Sequence, residues 1–251
     1  MERITSRANP LMTHVRKLAS SAAYRRKSGE FLCDGHKLLQ EARRWNAEVT
    51  TILFSDGVEI PEGEGAARLV QVPPDVMKSI APSETPQGVL FLCAMAEPPL
   101  PERLTGNHYV VLSGVQDPGN VGTILRTADA FDCDGMFLTE GCADLYNVKT
   151  VRATMGALFR RPVWRCTAAE MKGLLTASEL PLYGAALRED TVDARGVDYR
   201  RAAVAIGSEG RGLSDDMLAL CDKTIRLPMS PRCESLNAAV AASVLLWEMY
   251  R

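Results

Sequence analysis

Three apolar runs in the second half of the chain are each followed by a polar segment rich in turn formers. YVVL (Tyr109 to Leu112) precedes DPGNVGTILR (Asp117 to Arg126), AAVAI (Ala202 to Ile206) precedes GSEGRGL (Gly207 to Leu213), and TIRL (Thr224 to Leu227) leads into LPMSPRCESLN (Leu227 to Asn237). Short apolar runs bounded by Gly, Pro and Asn read as buried strands. Helical spacing follows the first and third polar segments, and strands alternating with helices imply a largely parallel sheet. Open α/β sheets build ligand sites in the loops at the carboxyl ends of their strands. The pattern therefore predicts an α/β fold in which three loops converge on one cleft.

The same reading along the rest of the chain predicts two domains. AEPPLPERLTGN (Ala96 to Asn107) carries three prolines in a short polar stretch and reads as a stiff linker. Residues 1–96 form a small N-terminal α/β domain, 97–107 the linker and 108–251 the C-terminal domain. In the first, HVRKLASS and HKLLQEARRW read as helices and EFLCDG, VTTILFSD and GVLFLCAM as strands. In the second, helices are expected after Asn120, near 149–158 and 168–176 and at the C-terminus, and further strands at GMFLT and LYGAAL. No internal repeat is present, and the acidic stretch Glu62-Gly63-Glu64-Gly65 is too short for low complexity.

Composition narrows the class. No apolar stretch approaches the roughly 20 residues of a membrane helix, and the N-terminus lacks the apolar segment of a secretory signal, so the cytoplasm is the expected compartment. Seven cysteines without a C-x-x-C pair argue against a disulfide framework and against zinc; they read as small buried or partly buried thiols. With His14, His36 and His108 scattered, no metal site is expected. The formal charge of −2 hides an asymmetry: residues 1–50 carry ten Lys/Arg against five Asp/Glu. Arg3, Arg7, Arg16, Lys17, Arg25, Arg26 and Lys27 form a potential footprint for nucleic acid, although a solvated helix face is the commoner fate of such a run.

Each polar segment has its own mechanics. Asn120 is placed to cap the helix carrying Val121, Ile124, Leu125, Ala128 and Phe131 as its apolar stripe. Arg126 lies off that stripe, free to reach an anion. Gly207-Ser208-Glu209-Gly210-Arg211-Gly212 is a glycine-rich turn with one carboxylate, and it matches neither G-x-G-x-x-G nor a P-loop. Ser235 and Asn237 stand at the start of a helix with Leu236, Val240, Val244 and Trp247 on one face, a stripe suited to core or subunit contact. Taken singly, an Asn or Ser at such a place is most often a cap, and a helix Arg is most often solvated.

Together and in this order, the segments resemble the SpoU/TrmH-type branch of the SPOUT superfamily, RNA ribose 2′-O-methyltransferases that use S-adenosylmethionine. The resemblance covers residues 109–251 and rests on DPGNVGTILR, IGSEGRGL and IRLPMSPRCESLNAAVA, with DLYNVKTVRATMGALFRRP similar to the family's connecting region. The N-terminal unit ending in TPQGVLFLC resembles the branch's ribosomal-protein-like substrate-binding domain. Pro231 departs from the pattern, standing where many members have glycine.

The resemblance implies a C-terminal domain with a deep trefoil knot, an exception to the rule against threaded connections. It implies S-adenosylmethionine held by Ile206, Gly207, Leu227, Met229 and Leu236, and a homodimer with the final helix at its interface and a site completed by both subunits. It assigns Arg126 to the ribose hydroxyl, with Asn120, Glu209, Ser235 and Asn237 orienting it, the substrate and the loops. A guanidinium is a poor base on ordinary grounds, which favours a positioning role for Arg126 over proton abstraction. Ribosomal RNA is expected over transfer RNA. The alternatives are a base-methylating member of the superfamily, a non-catalytic RNA-binding protein, and a dinucleotide-dependent oxidoreductase, which the missing glycine fingerprint disfavours.

Overall fold

The computed structural model describes residues 2–59, 67–188, 190–233 and 235–251; the Glu62-Gly63-Glu64-Gly65 stretch lies outside them. The chain divides into two compact units, Met1–Ala96 with Asp144–Phe159, and Glu97–Ala143 with Arg160–Arg251. Residues 144–159, expected in the C-terminal domain, thus pack with the N-terminal unit.

The first unit contains β1 (Glu2–Arg3), α1 (Pro10–Ser20), α2 (Ala22–Ser28), β2 (Glu30–Asp34), α3 (His36–Arg44), β3 (Val49–Ser55), β4 (Arg68–Val72), α4 (Pro74–Ile80) and β5 (Val89–Ala94). Its sheet runs β1-β4-β3-β5-β2, with β5 antiparallel to both neighbours. Asn9 caps α1 by accepting from Leu11 N, and Ser21 ends α1 and caps α2 through Tyr24 N. Gly29, at φ 71°, closes α2 in the left-handed region that glycine enters at little cost.

Arg25 explains why 144–159 joins this unit. Its guanidinium is almost fully buried and donates Nε and Nη2 to Asp144 Oδ2 at 3.0 and 2.5 Å and Nη1 to the Leu18 carbonyl at 2.6 Å. The Tyr146 hydroxyl donates to the Ala96 carbonyl, and Phe31 packs against Tyr146 in a tilted contact at 4.7 Å and stacks with Phe159 at 6.5 Å. Val148, opening α6 (Val148–Thr154), enters the core formed by Leu18, Leu32, Leu53 and Leu92. The expected basic footprint shrinks accordingly. Arg25 is buried, Arg3 and Arg7 pair with Asp56 and Asp75, and Arg16 reaches the Arg7 carbonyl. Lys17, Arg26 and Lys27 are exposed and form no ion pair among the described residues.

The second unit contains β6 (His108–Leu112), α5 (Pro118–Ala130), β7 (Gly135–Leu138), β8 (Val163–Arg165), α7 (Ala168–Ala177), β9 (Leu182–Ala185), β10 (Val192–Asp193), β11 (Ala202–Ile206), α8 (Asp215–Leu220), β12 (Lys223–Arg226) and α9 (Ala238–Tyr250). Its seven strands pair in parallel in the order β10-β12-β9-β11-β6-β7-β8. Tyr109, Val111, Phe137, Ala203 and Ala205 meet Met171 and Leu175 of α7 and Met217 of α8 on one face. The alternate residues Val110, Leu112 and Val204 are buried toward the opposite face, where α5 and α9 pack against each other and against β7 and β11.

Cys33, Cys93 and Cys133 are buried thiols, and Cys142, Cys166 and Cys221 are partly buried. Cys233 is exposed, a departure from the expected burial. No described helix is long and apolar enough to cross a membrane.

Removing one partner of a buried ion pair strands the other charge, so Arg25→Ala is expected to cost about 3–5 kcal/mol in urea unfolding. Arg26→Ala, one exposed position along, should change stability by less than about 0.5 kcal/mol. Equal effects would mean that the Arg25–Asp144 pair does not fasten the 144–159 segment.

Candidate active site

The register of β6 against β11 sets the site. Leu112 lies opposite Ile206, so the loops that begin at Ser113 and Gly207 leave the sheet level with each other. Ile225 of β12 lies opposite Ala185 of β9, and the third loop leaves from the same edge.

Gly207 opens the second loop because nothing larger fits. A Cβ there would stand 2.1 Å from the Gly212 carbonyl carbon and 2.3 Å from Leu213 N. The loop closes on itself through paired backbone hydrogen bonds between Ser208 and Gly212, at 3.0 and 2.9 Å, with Gly212 at φ 69°. That tight ring projects Glu209 toward the first loop. Oε1 accepts from Asn120 Nδ2 at 2.7 Å, and the backbone N–H groups of Gln116 and Asp117 approach Oε2 and Oε1 at 3.4 Å. Burial pushes the Glu209 carboxyl up, but hydrogen bonds from Asn120 and from the backbone of Glu209, Gln116 and Asp117 outweigh it and hold the group below the ordinary carboxylate range. Glu209 is therefore an anion at neutral pH.

Asn120 does not cap its helix. Asp117 does, accepting from Asn120 N at 2.8 Å, with Pro118 at the first helical position. This leaves the Asn120 amide to donate to Glu209 and to accept, through Oδ1, from Asn237 Nδ2 at 3.1 Å. Asn237 in turn caps α9, its Oδ1 accepting from Ala239 N and Val240 N. One chain of side-chain hydrogen bonds, Asn237 to Asn120 to Glu209, thus ties all three loops.

Beside this chain lies a cavity of about 610 Å³, within the roughly 300–1,000 Å³ usual for small-molecule sites. Ile206, Gly207, Leu227, Met229 and Leu236, the five residues expected at the cofactor, all line it, with Ser235 and Glu209. Leu236 precedes α9 rather than sharing its exposed stripe, and is free to face the cavity. Ala185, Ala186 and Leu187, the turn after β9, form a further wall that motif reading missed; the carboxyl-end rule applied to LYGAAL points to it. Pro231 takes the first central position of a turn closed by Cys233 N donating to the Ser230 carbonyl at 2.9 Å, a place that suits proline's fixed φ.

Arg126 stands apart. It is exposed on α5 and forms no hydrogen bond or ion pair among the described residues. Ser235 caps no helix; its carbonyl accepts from the Cys233 thiol at 3.2 Å. The structure therefore joins Asn120, Glu209 and Asn237 directly, sets Ser235 on the cavity wall, and leaves Arg126 outside their hydrogen-bond chain.

An MRM3-like substrate binding domain matches residues 9–90. The 23S rRNA (guanosine(2553)-2'-O)-methyltransferase RlmP of Bacillus subtilis is 32% identical over 99% of each chain. The mitochondrial rRNA methyltransferase 3 of Homo sapiens is 27% identical, over 94% of this chain and 71% of its own. Among solved structures, the AdoMet-bound rRNA methyltransferase from Sinorhizobium meliloti superposes with a TM-score of 0.90 at 28% identity, covering 99% of this chain and 97% of that one. The SpoU rRNA Methylase family model matches residues 107–247, taking in all three loops, and the chain belongs to that family.

Proposed function

We infer that this chain transfers a methyl group from S-adenosylmethionine to a ribose 2′-hydroxyl of ribosomal RNA. The observation that carries this reading is the single cavity that collects Ile206, Gly207, Leu227, Met229 and Leu236 from the second and third loops, beside the Glu209–Asn120–Asn237 chain. Apolar side chains and strand-end backbone groups line one part of it, a surface suited to an adenine ring and its sugar, Arg188, Arg211, Asp215 and Arg226 line the rest, and Gly207 keeps the loop backbone close. Those five residues would hold the cofactor. When bound, S-adenosylmethionine supplies a methyl group already activated by its sulfonium.

The protein's own residues do the rest. Glu209 fixes the first and second loops against each other, Asn120 passes that constraint to Asn237, and Ser235 shapes the third loop. Arg126 holds the acceptor nucleotide's phosphate and stabilises charge developing on the ribose oxygen, a role for which a planar, permanently charged fork is suited. The RlmP relative's name specifies a guanosine of 23S rRNA, which makes such a ribose the first acceptor to test. The unit matched by the substrate-binding model presents RNA to this chemistry, and the cytoplasm is the compartment this reading assigns.

The working form proposed is a homodimer with the knotted topology of the family. Val240, Val244, Trp247 and Tyr250 leave an apolar stripe on α9, with Trp247 52% exposed. Val240, Val244 and Trp247 line a groove together with Asn120, Thr123 and Asn237, so a second copy seated on α9 would reach the edge of the site. Trp247→Glu is expected to give a folded monomer in sedimentation and to lose turnover; an unchanged dimer would remove α9 from the interface.

Two further outcomes test the site. Gly207→Ala should abolish S-adenosylmethionine binding in calorimetry, because its Cβ would collide with the Gly212 backbone; native-like binding would displace the cofactor from this cavity. Arg126→Ala should remove turnover while preserving cofactor binding, and a 2′-deoxy nucleotide at the target position should block methylation with little change in RNA affinity, most of which comes from phosphate contacts. Methylation of the deoxy substrate would place the product on the base.

A further inference from the structure

Asp129 occupies the last turn of α5, where a carboxylate opposes the helix dipole. It follows Arg126 by three residues, a spacing at which opposite charges meet on a helix surface. Arg126 nevertheless carries no ion pair among the described residues, because Asp129 is committed elsewhere. Asp129 Oδ2 accepts from Arg160 Nε at 2.7 Å and Oδ1 from Arg161 Nε at 2.8 Å. Arg161 also donates Nη2 to Asp132 at 2.6 Å. The Asp129 side chain is 14% exposed, so these bonds are shielded far better than a surface pair.

We propose that Arg160 and Arg161 are positioning residues for Arg126: by holding both oxygens of Asp129 they withhold that carboxylate from Arg126 and leave its guanidinium for the RNA acceptor. Two arginines are needed because a carboxylate has two oxygens, and a single bond would leave the second free to turn toward Arg126. The inference rests on the assignment of Arg126 to the acceptor made above. Its rival is a purely structural role, in which the arginines only cap α5; Arg161 Nη2 does lie 3.5 Å from the Asp129 carbonyl oxygen.

A rescue experiment separates the two. In the full-length protein R160Q/R161Q should retain cofactor affinity by calorimetry but lose roughly tenfold in RNA-dependent kcat/KM, the equivalent of about 1.4 kcal/mol. Adding D129N, which abolishes the competing charge, should restore most of that loss, whereas a structural cap would be left no better. Should R160Q/R161Q not fold, R161Q alone should give a smaller loss with the same reversal by D129N. Failure of D129N to restore activity in either background overturns the proposal and leaves the acceptor role of Arg126 intact. Near-native turnover in R126A, whose cluster is undisturbed, overturns that role and this inference with it.

Discussion

The hydrogen bonds to the Glu209 carboxylate are the interaction on which the geometry of the three-loop edge depends. Three segments separated by up to about a hundred residues arrive there only because parallel pairing brings their strands to a common edge, and nothing in the strands fixes the loops beyond it. Glu209 does so by accepting from one side-chain amide and two backbone N–H groups of the first loop, besides its own backbone N–H. These donors stabilise the charged form of an exposed carboxylate, so loop geometry and ionisation support each other. The first-loop donors favour the anionic state, and the anion in turn strengthens its hold on that loop. With its pKa held below the ordinary value, this contribution is present at neutral pH and fades as pH falls through the depressed pKa.

How much was legible follows from the range over which each feature is encoded. Strands such as AAVAI and the stripe of α5 declare themselves within a few residues. Ile206, Gly207, Leu227, Met229 and Leu236 were implied only by the family resemblance, which carries long-range geometry that no local pattern contains. α2 and α4 escaped because helices of seven residues run barely two turns, β4 because Arg68 and Gln71 interrupt its apolar run, and β1 and β10 pair over only two residues. Asn120 was misread as a cap because Asp117 and Asn120 are both good capping residues. Pro118 decides between them, since proline prefers the first helical position and so places the cap at Asp117.

The basic N-terminal stretch shows why counting charges overstates a binding surface. Arg25 is invested in holding the 144–159 segment, and Arg3 and Arg7 are matched to Asp56 and Asp75, acids that lie far along the chain. The pairing that cancels a sequence asymmetry is tertiary, so a window of fifty residues cannot reveal it. Lys17, Arg26 and Lys27, exposed and without an ion pair among the described residues, lie on α1 and α2.

The same segment alters how the two units can be considered separately. The chain passes from the first unit to the second at Ala96, returns at Asp144 and leaves again at Arg160. A chain shortened to residues 97–251 would therefore keep Tyr146, Val148 and Phe159 while losing the core they enter, and would expose them along with the Asp144 carboxylate that Arg25 covers. Loss of RNA binding in such a fragment would not isolate a recognition surface, because α6 and its flanks would have lost their support in the same cut. Charge reversal at Arg26 and Lys27, which leaves Arg25 and the core untouched, changes the electrostatics of the first unit without disturbing its packing, and it is through such substitutions that the contribution of this unit to RNA affinity becomes separable from its role in holding 144–159.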